Sequence, residues 1–171
     1  MLNPKTLKLS KTTFTNGREE FKGNKLYESE TNDCFVVALC HVCDVNYDES
    51  HSYVNENFKR KNNKGVTLTP VKLQTFIQNE QKLLNKDIEL LGYNPIIWSE
   101  NMGYKILSNP KYKNKKSGYT VKSFLETFNS GKYLILVNGH ALAIVDGKLY
   151  DNIQYKNKGW YRDIEVAYKI K

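Results

Sequence analysis

The chain has 171 residues and a mass of 19.9 kDa, room for one ordinary domain with its own hydrophobic core. Hydrophobic residues make up 40% and aromatics 12%, which excludes a disordered chain despite a mean hydropathy of −0.61, and no apolar run approaches the roughly 20 residues of a membrane span. The net charge of +8 is almost wholly lysine, because arginine occurs only at Arg18, Arg60 and Arg162; scattered lysine gives unspecific, salt-sensitive attraction, which argues against nucleic acid as the partner.

The opening stretch MLNPKTLKLSKTTF is basic but lacks the apolar core of a secretory signal, so the expected location is the cytoplasm. In that compartment three cysteines, an odd count, are expected as thiols rather than as a disulfide framework. Residues 1–25 alternate loosely and then turn polar, the texture of an N-terminal arm or edge strand, and residues 26–171 are expected to form the domain. From Thr31 the character changes. Asn32 and Asp33, both helix-capping types, open the segment CFVVALCHVC, a helix with almost no polar face that must be buried on most sides. A second helix starts at the capping signature Asn46-Tyr47-Asp48-Glu49 and ends in the lysine-rich KRKNNKG. A third starts at Thr69-Pro70 and carries Val71, Leu73, Phe76 and Ile77, which makes the N-terminal half helical.

Residues 94–117 read as irregular, with short extended pieces such as PIIW and YKIL. A short helix from Thr120 to Phe128 precedes a strongly β pattern: KYLILV, ALAIV, the turn Asp146-Gly147, the returning KLYDNIQY and a last strand in RDIEVAYKI. Trp98, Trp160 and the tyrosines of this half are expected to cover the sheet. Helices first and an antiparallel sheet afterwards describe an α+β domain.

Among the cysteines Cys34 stands apart. At the start of the buried helix, free N–H groups and the positive end of the helix dipole favour a thiolate, whereas Cys40 and Cys43 lie inside the apolar run as small hydrophobes. A thiolate nucleophile needs an imidazole as base and acid, and the imidazole needs an acceptor to fix its orientation. His140 precedes the ALAIV strand. If Asp146-Gly147 forms a two-residue loop, Leu142 pairs with Asp151 and His140 with Ile153, so Asp151 shares a face with His140 at the diagonal position. Asn152 is the alternative orienter, reached if a bulged three-residue loop shifts the pairing by one; Asp-Gly favours the tight loop and with it Asp151.

The order of Cys on a helix N-terminus, His on a strand and Asp or Asn on the next, with NDCFVVAL and GHALAIVDGKLYDN, resembles the papain-like cysteine peptidase superfamily. More narrowly it is similar to small papain-like proteins of the kind found in bacteriophage genomes, and distantly to bacteriocin-processing peptidases. The resemblance implies a papain-like fold, Cys34 as nucleophile, His140 as general base and acid, Asp151 as orienter, and a protein or peptide substrate attacked through a thioacyl intermediate without a cofactor. The superfamily often carries a Gln six residues before the Cys as oxyanion donor. Glu28 stands there instead, and Asn32 with the Cys34 N–H is the substitute.

The departure at Glu28 keeps a pseudoenzyme in play, one that only binds an acidic partner or nucleic acid through runs such as Lys59-Arg60-Lys61 and KYKNKKSG. Acyl transfer to, or deamidation of, glutamine side chains is a further alternative. A zinc site drawn from Cys34, Cys40, His41, Cys43 and His51 is disfavoured, because the Cys-x-x-Cys pair lies mid-helix rather than on a turn that aims both sulfurs at one point.

Overall fold

A computed structural model describes residues 14–66, 68, 70–80, 82–93, 119–152 and 159–171. The expectations for residues 1–13, the Thr69 cap, the pieces PIIW and YKIL, Trp98, the KYKNKKSG run and the pairing of Ile153 fall outside these residues. The described elements are strand β1 (Phe14–Asn16), helices α1 (Lys25–Glu28), α2 (Cys34–Cys43), α3 (Tyr47–Phe58) and α4 (Pro70–Glu80), strands β2 (Lys82–Leu83) and β3 (Lys86–Tyr93), helix α5 (Val121–Thr127), and strands β4 (Lys132–Val137), β5 (His140–Val145), β6 (Lys148–Asp151) and β7 (Ile164–Ile170).

The strands form one sheet in the order β1-β6-β5-β4-β7-β3-β2. Every pairing is antiparallel except β1 with β6, which is parallel. This corrects two expectations. The stretch after residue 25 is not helical throughout the N-terminal half, since β2 and β3 come from it, and the sheet is mixed at one edge, where β1 lies in the segment expected as an arm or edge strand. The segment DIELLGY has apolar residues at both parities, so it carries no clean alternation to announce a strand. Its pairing with β7 supplies what local pattern does not.

Both faces of the sheet are covered. Leu134, Leu136, Ala141, Ala143, Val166 and Tyr168 pack with α2, α3 and α4, while Tyr133, Ile135, Val137, Leu142, Ile144 and Leu149 pack with α5. That two-sided burial is why KYLILV reads as an unbroken apolar run. Helix α2 sits in the first layer with eight of its ten residues buried, so its all-round apolar character is satisfied by sheet on one side and α3 on the other. Helix α3 presents Tyr47, Ser50, His51 and Val54, one stripe at helical spacing, and the Asn46 side chain accepts from Glu49 N–H at its start. Trp160 packs on the α5 side, edge-on to Phe14.

The β5–β6 hairpin has the tight loop expected of Asp-Gly: Val145 pairs with Lys148, Ile144 with Leu149 and Ala143 with Tyr150. Both turn residues lie in the left-handed region, Asp146 at φ 46 and Gly147 at φ 75, as a type I′ turn requires. A side chain at 147 would also come within 3.0 Å of the Asn129 carbonyl oxygen. Gly147→Ala is therefore expected to cost about 1–2 kcal/mol, read as a lower urea midpoint with an unchanged slope.

Candidate active site

Cys34 is the first residue of α2, His140 the first of β5 and Asp151 the last of β6. The hairpin ladder runs from Val145–Lys148 to Ala143–Tyr150, and just beyond it the His140 Nε2 meets Asp151 Oδ1 at 2.5 Å. Cys34 lies on the same cavity wall as this imidazole, which acts on its thiol by hydrogen bond and charge. The three side chains expected from the sequence are thus in one chain of contacts, with Asp151 rather than Asn152 behind the imidazole. Asn152 instead lends its backbone N–H to Asp151 Oδ1 at 2.7 Å and lines the adjoining cavity.

The electrostatics follow from this geometry. Burial pushes the Cys34 thiol up, but the hydrogen bond and charge of His140 and the backbone of Ala141 outweigh it, and the thiol lies below its ordinary value despite the opposing charge of Asp33. Burial alone would lower His140; the carboxylate of Asp151 and the sulfur of Cys34 raise it instead to about 9. A depressed thiol beside a raised imidazole is the signature of a thiolate–imidazolium pair. Cys40 and Cys43 behave oppositely, pushed by burial up to about 12. Their sulfurs face the carbonyls of Val36 and Leu83.

Asp151 is almost wholly buried, and its second oxygen, Oδ2, accepts from Arg162 Nη2 at 2.6 Å. The other two arginines are used the same way. Arg18 Nη2 meets the buried Asp33 at 2.5 Å, and Arg60 Nη2 meets the buried Glu30 at 2.7 Å. These pairs brace both ends of the 30–33 loop that delivers Cys34. Glu30 also accepts from His51 and from the Asn63 N–H, while Asp33 accepts from the Tyr47 hydroxyl at 2.7 Å. Asp33 stands at the N-cap position of α2 but makes no side-chain cap, because its carboxylate is taken by Arg18 and Tyr47. The expected capping role is replaced by a buried ion pair.

Asn32 adopts φ 55, is exposed, and donates to the Asn63 carbonyl at 3.4 Å while lining the cavity in front of Cys34. It does not cap α2. Glu28 is exposed on α1, accepts from the Gly23 N–H at 2.9 Å, and is not among the cavity-lining residues. The cavity holds about 420 Å³ and runs from Cys34 and His140 across Phe35, Val66, Leu68 and Leu136 to Glu165. Such a site can present a thiolate, a proton donor and an apolar wall to one bound group.

No family model, curated protein or solved structure matches this chain.

The cysteines and histidines weighed as zinc ligands do not converge. His41 contacts the Gly17 carbonyl and Glu20, His51 contacts Glu30, and among the described residues no group of three or more His, Cys, Asp or Glu is arranged to hold a metal. No helix of the described residues is long and apolar enough to cross a membrane. Nothing local in the sequence marks Arg18, Arg60 and Arg162 as partners of buried carboxylates, or Glu30 and Glu165 as residues of the site; Arg60, expected in an exposed basic run, is buried against Glu30. The available signal was the choice of arginine at only three places in a lysine-rich chain, since the planar guanidinium is the cation suited to a buried carboxylate.

Proposed function

We propose that this protein is a papain-like cysteine hydrolase that cleaves an amide in a protein or peptide through a thioester on Cys34. The observation that carries the reading is the contact chain Cys34–His140–Asp151 opening on a cavity. The Cys34 thiolate adds to the carbonyl carbon, and the oxyanion is received by the Cys34 N–H and the Asn32 amide. Collapse breaks the C–N bond, and the departing amine takes the proton of the His140 imidazolium. The neutral imidazole then accepts a proton from water as the oxygen attacks the thioester. Thiolate departs, the acid product leaves, and the ion pair is restored. Asp151 holds the imidazole in place and stabilises its charged form.

An amine in place of water would give acyl transfer by the same steps, and a glutamine side chain as acyl donor would give deamidation. The basic-binder alternative has less support, because all three arginines are committed to buried carboxylates and only lysines remain to meet phosphate.

An aminoacyl thioester probe is expected to leave a hydroxylamine-sensitive acyl group on Cys34, located by mass spectrometry. Cys34→Ala removes the adduct and His140→Ala slows its formation. An acyl-transfer or amidase activity that persists in Cys34→Ala overturns the reading.

A further inference from the structure

Glu165 lies on the cavity wall, where its position has a specific cause in the backbone. On the β4–β7 ladder Leu136 pairs with Val166 and Val137 with Ile164, so Glu165 is an extra residue with no partner on β4. Such a bulge bends a strand and re-aims one side chain. The sign of it is in the burial. Ile164 belongs to the α5 side and Val166 to the α2 side, although residues two apart in a regular strand share a face. The insertion falls at the end of the sheet where Val137 pairs with His140, beside the reacting groups.

Glu165 is half-buried, and among the described residues its carboxylate has no hydrogen-bond or ion-pair partner. The buried acids Glu30, Asp33 and Asp151 each have an arginine. Among the described residues that line the cavity, the other titratable groups, Cys34 and His140, form a pair that is neutral overall, so Glu165 is the one acid there without a counter-charge, on a chain of net +8. Phe35, Val66, Leu68 and Leu136 supply an apolar wall beside it. A cavity that sets an apolar wall and one carboxylate among polar groups matches a side chain with an aliphatic stem and a cationic end.

We propose that Glu165 is the specificity residue of this cavity and selects a lysine or arginine side chain next to the acyl group presented to Cys34. This rests on the thiol-hydrolase reading for the acyl group, but the subsite can be tested apart from it.

The first arm uses three acyloxymethyl ketone probes that differ only in the adjoining side chain: lysine, norleucine or glutamate. In each, the Cys34 thiolate displaces the carboxylate leaving group and forms a thioether. The lysine probe is expected to label Cys34 about tenfold faster than norleucine, the scale of one charge-assisted hydrogen bond. In Glu165→Gln the ratio should fall to about one, and in Glu165→Lys the order should reverse in favour of glutamate. Equal rates in the native protein, or a lysine preference that survives Glu165→Gln, overturn the proposal.

The second arm titrates Cys34→Ala protein with N-acetyl-lysine amide and N-acetyl-norleucine amide, followed by NMR. A lysine preference that is lost in Glu165→Gln upholds the subsite even if no probe touches Cys34, in which case only the hydrolase reading fails. If lysine amide binds no better than norleucine amide, the subsite is refuted whatever the probes do.

Discussion

Iodoacetamide is expected to modify Cys34, and only Cys34, in the native protein, at a rate that stays high well below the pH at which an ordinary thiol loses reactivity. The selectivity follows from burial: Cys40 and Cys43 are pushed up to about 12 and face backbone carbonyls in the core, so neither offers a thiolate or a path to the reagent. The pH dependence follows from the ion pair. Cys34 lies below its ordinary value and His140 is raised to about 9, so thiolate and imidazolium coexist between the two limits. As pH falls through the lowered thiol value, the thiolate is protonated and alkylation slows. As pH rises through about 9, His140 loses its proton; alkylation persists, but any step that hands a proton to a leaving amine declines. His140→Ala removes the group that stabilises the thiolate and leaves burial unopposed. At pH 7 the rate should drop by about tenfold to a hundredfold, the loss of thiolate being partly offset by the greater intrinsic nucleophilicity of a more basic sulfur. A stopped alkylation series with peptide mapping measures both the site and the profile. A single-proton curve near the ordinary thiol value, unchanged in His140→Ala, would contradict the ion pair.

The parts of this site that were legible in the sequence are those set by short-range rules. An apolar segment opened by Asn32 and Asp33 places a helix start at Cys34, and Asp146-Gly147 between apolar strands fixes a register. Because the side-chain period of a strand is two, that register alone puts His140 and Asp151 on one face. The illegible parts depend on partners far along the chain. Asp33 is a good capping residue by type, yet Arg18 and Tyr47, on either side of α2 in sequence, claim its carboxylate. Arg162 follows Asp151 by eleven residues across a stretch with no local pattern linking them. The Glu165 bulge is a property of two strands together, because RDIEVAYKI by itself gives no sign of where a residue will be left over. Strand β3 is illegible for the same reason, its hydrogen bonds lying with β7 at the far end of the chain.

Arg60→Ala is expected to destabilise the protein by about 3–5 kcal/mol, the cost of leaving a buried charge without its partner. The Arg60 and Glu30 side chains are 0% and 1% exposed, and Arg60 also donates to the Thr31 carbonyl. Burial would raise the Glu30 carboxyl, but Arg60, the Asn63 N–H and His51 together hold it down at about 2. The linkage gives a second readout. A carboxylate whose folded value is depressed stabilises the protein above its ordinary value of 4.5 and loses that contribution as pH falls from there towards 2. The shift corresponds to about 3 kcal/mol, so native protein should lose stability steeply over this window, and Glu30→Gln, weaker at pH 7, should lose much less of what it has on acidification. Urea unfolding at pH 7 and pH 3 distinguishes the two proteins. The double variant Glu30→Gln, Arg60→Met removes both charges and should recover part of the loss, since no ion is then left unpaired. It also separates stability from function. Glu30 begins the loop that ends at Cys34, so a protein refilled with neutral side chains should fold yet alkylate Cys34 more slowly if the ion pair holds that loop in register with His140. Native alkylation kinetics in the double variant would instead mean that Arg18 and Tyr47, acting on Asp33 at the other end of the loop, suffice to place the sulfur.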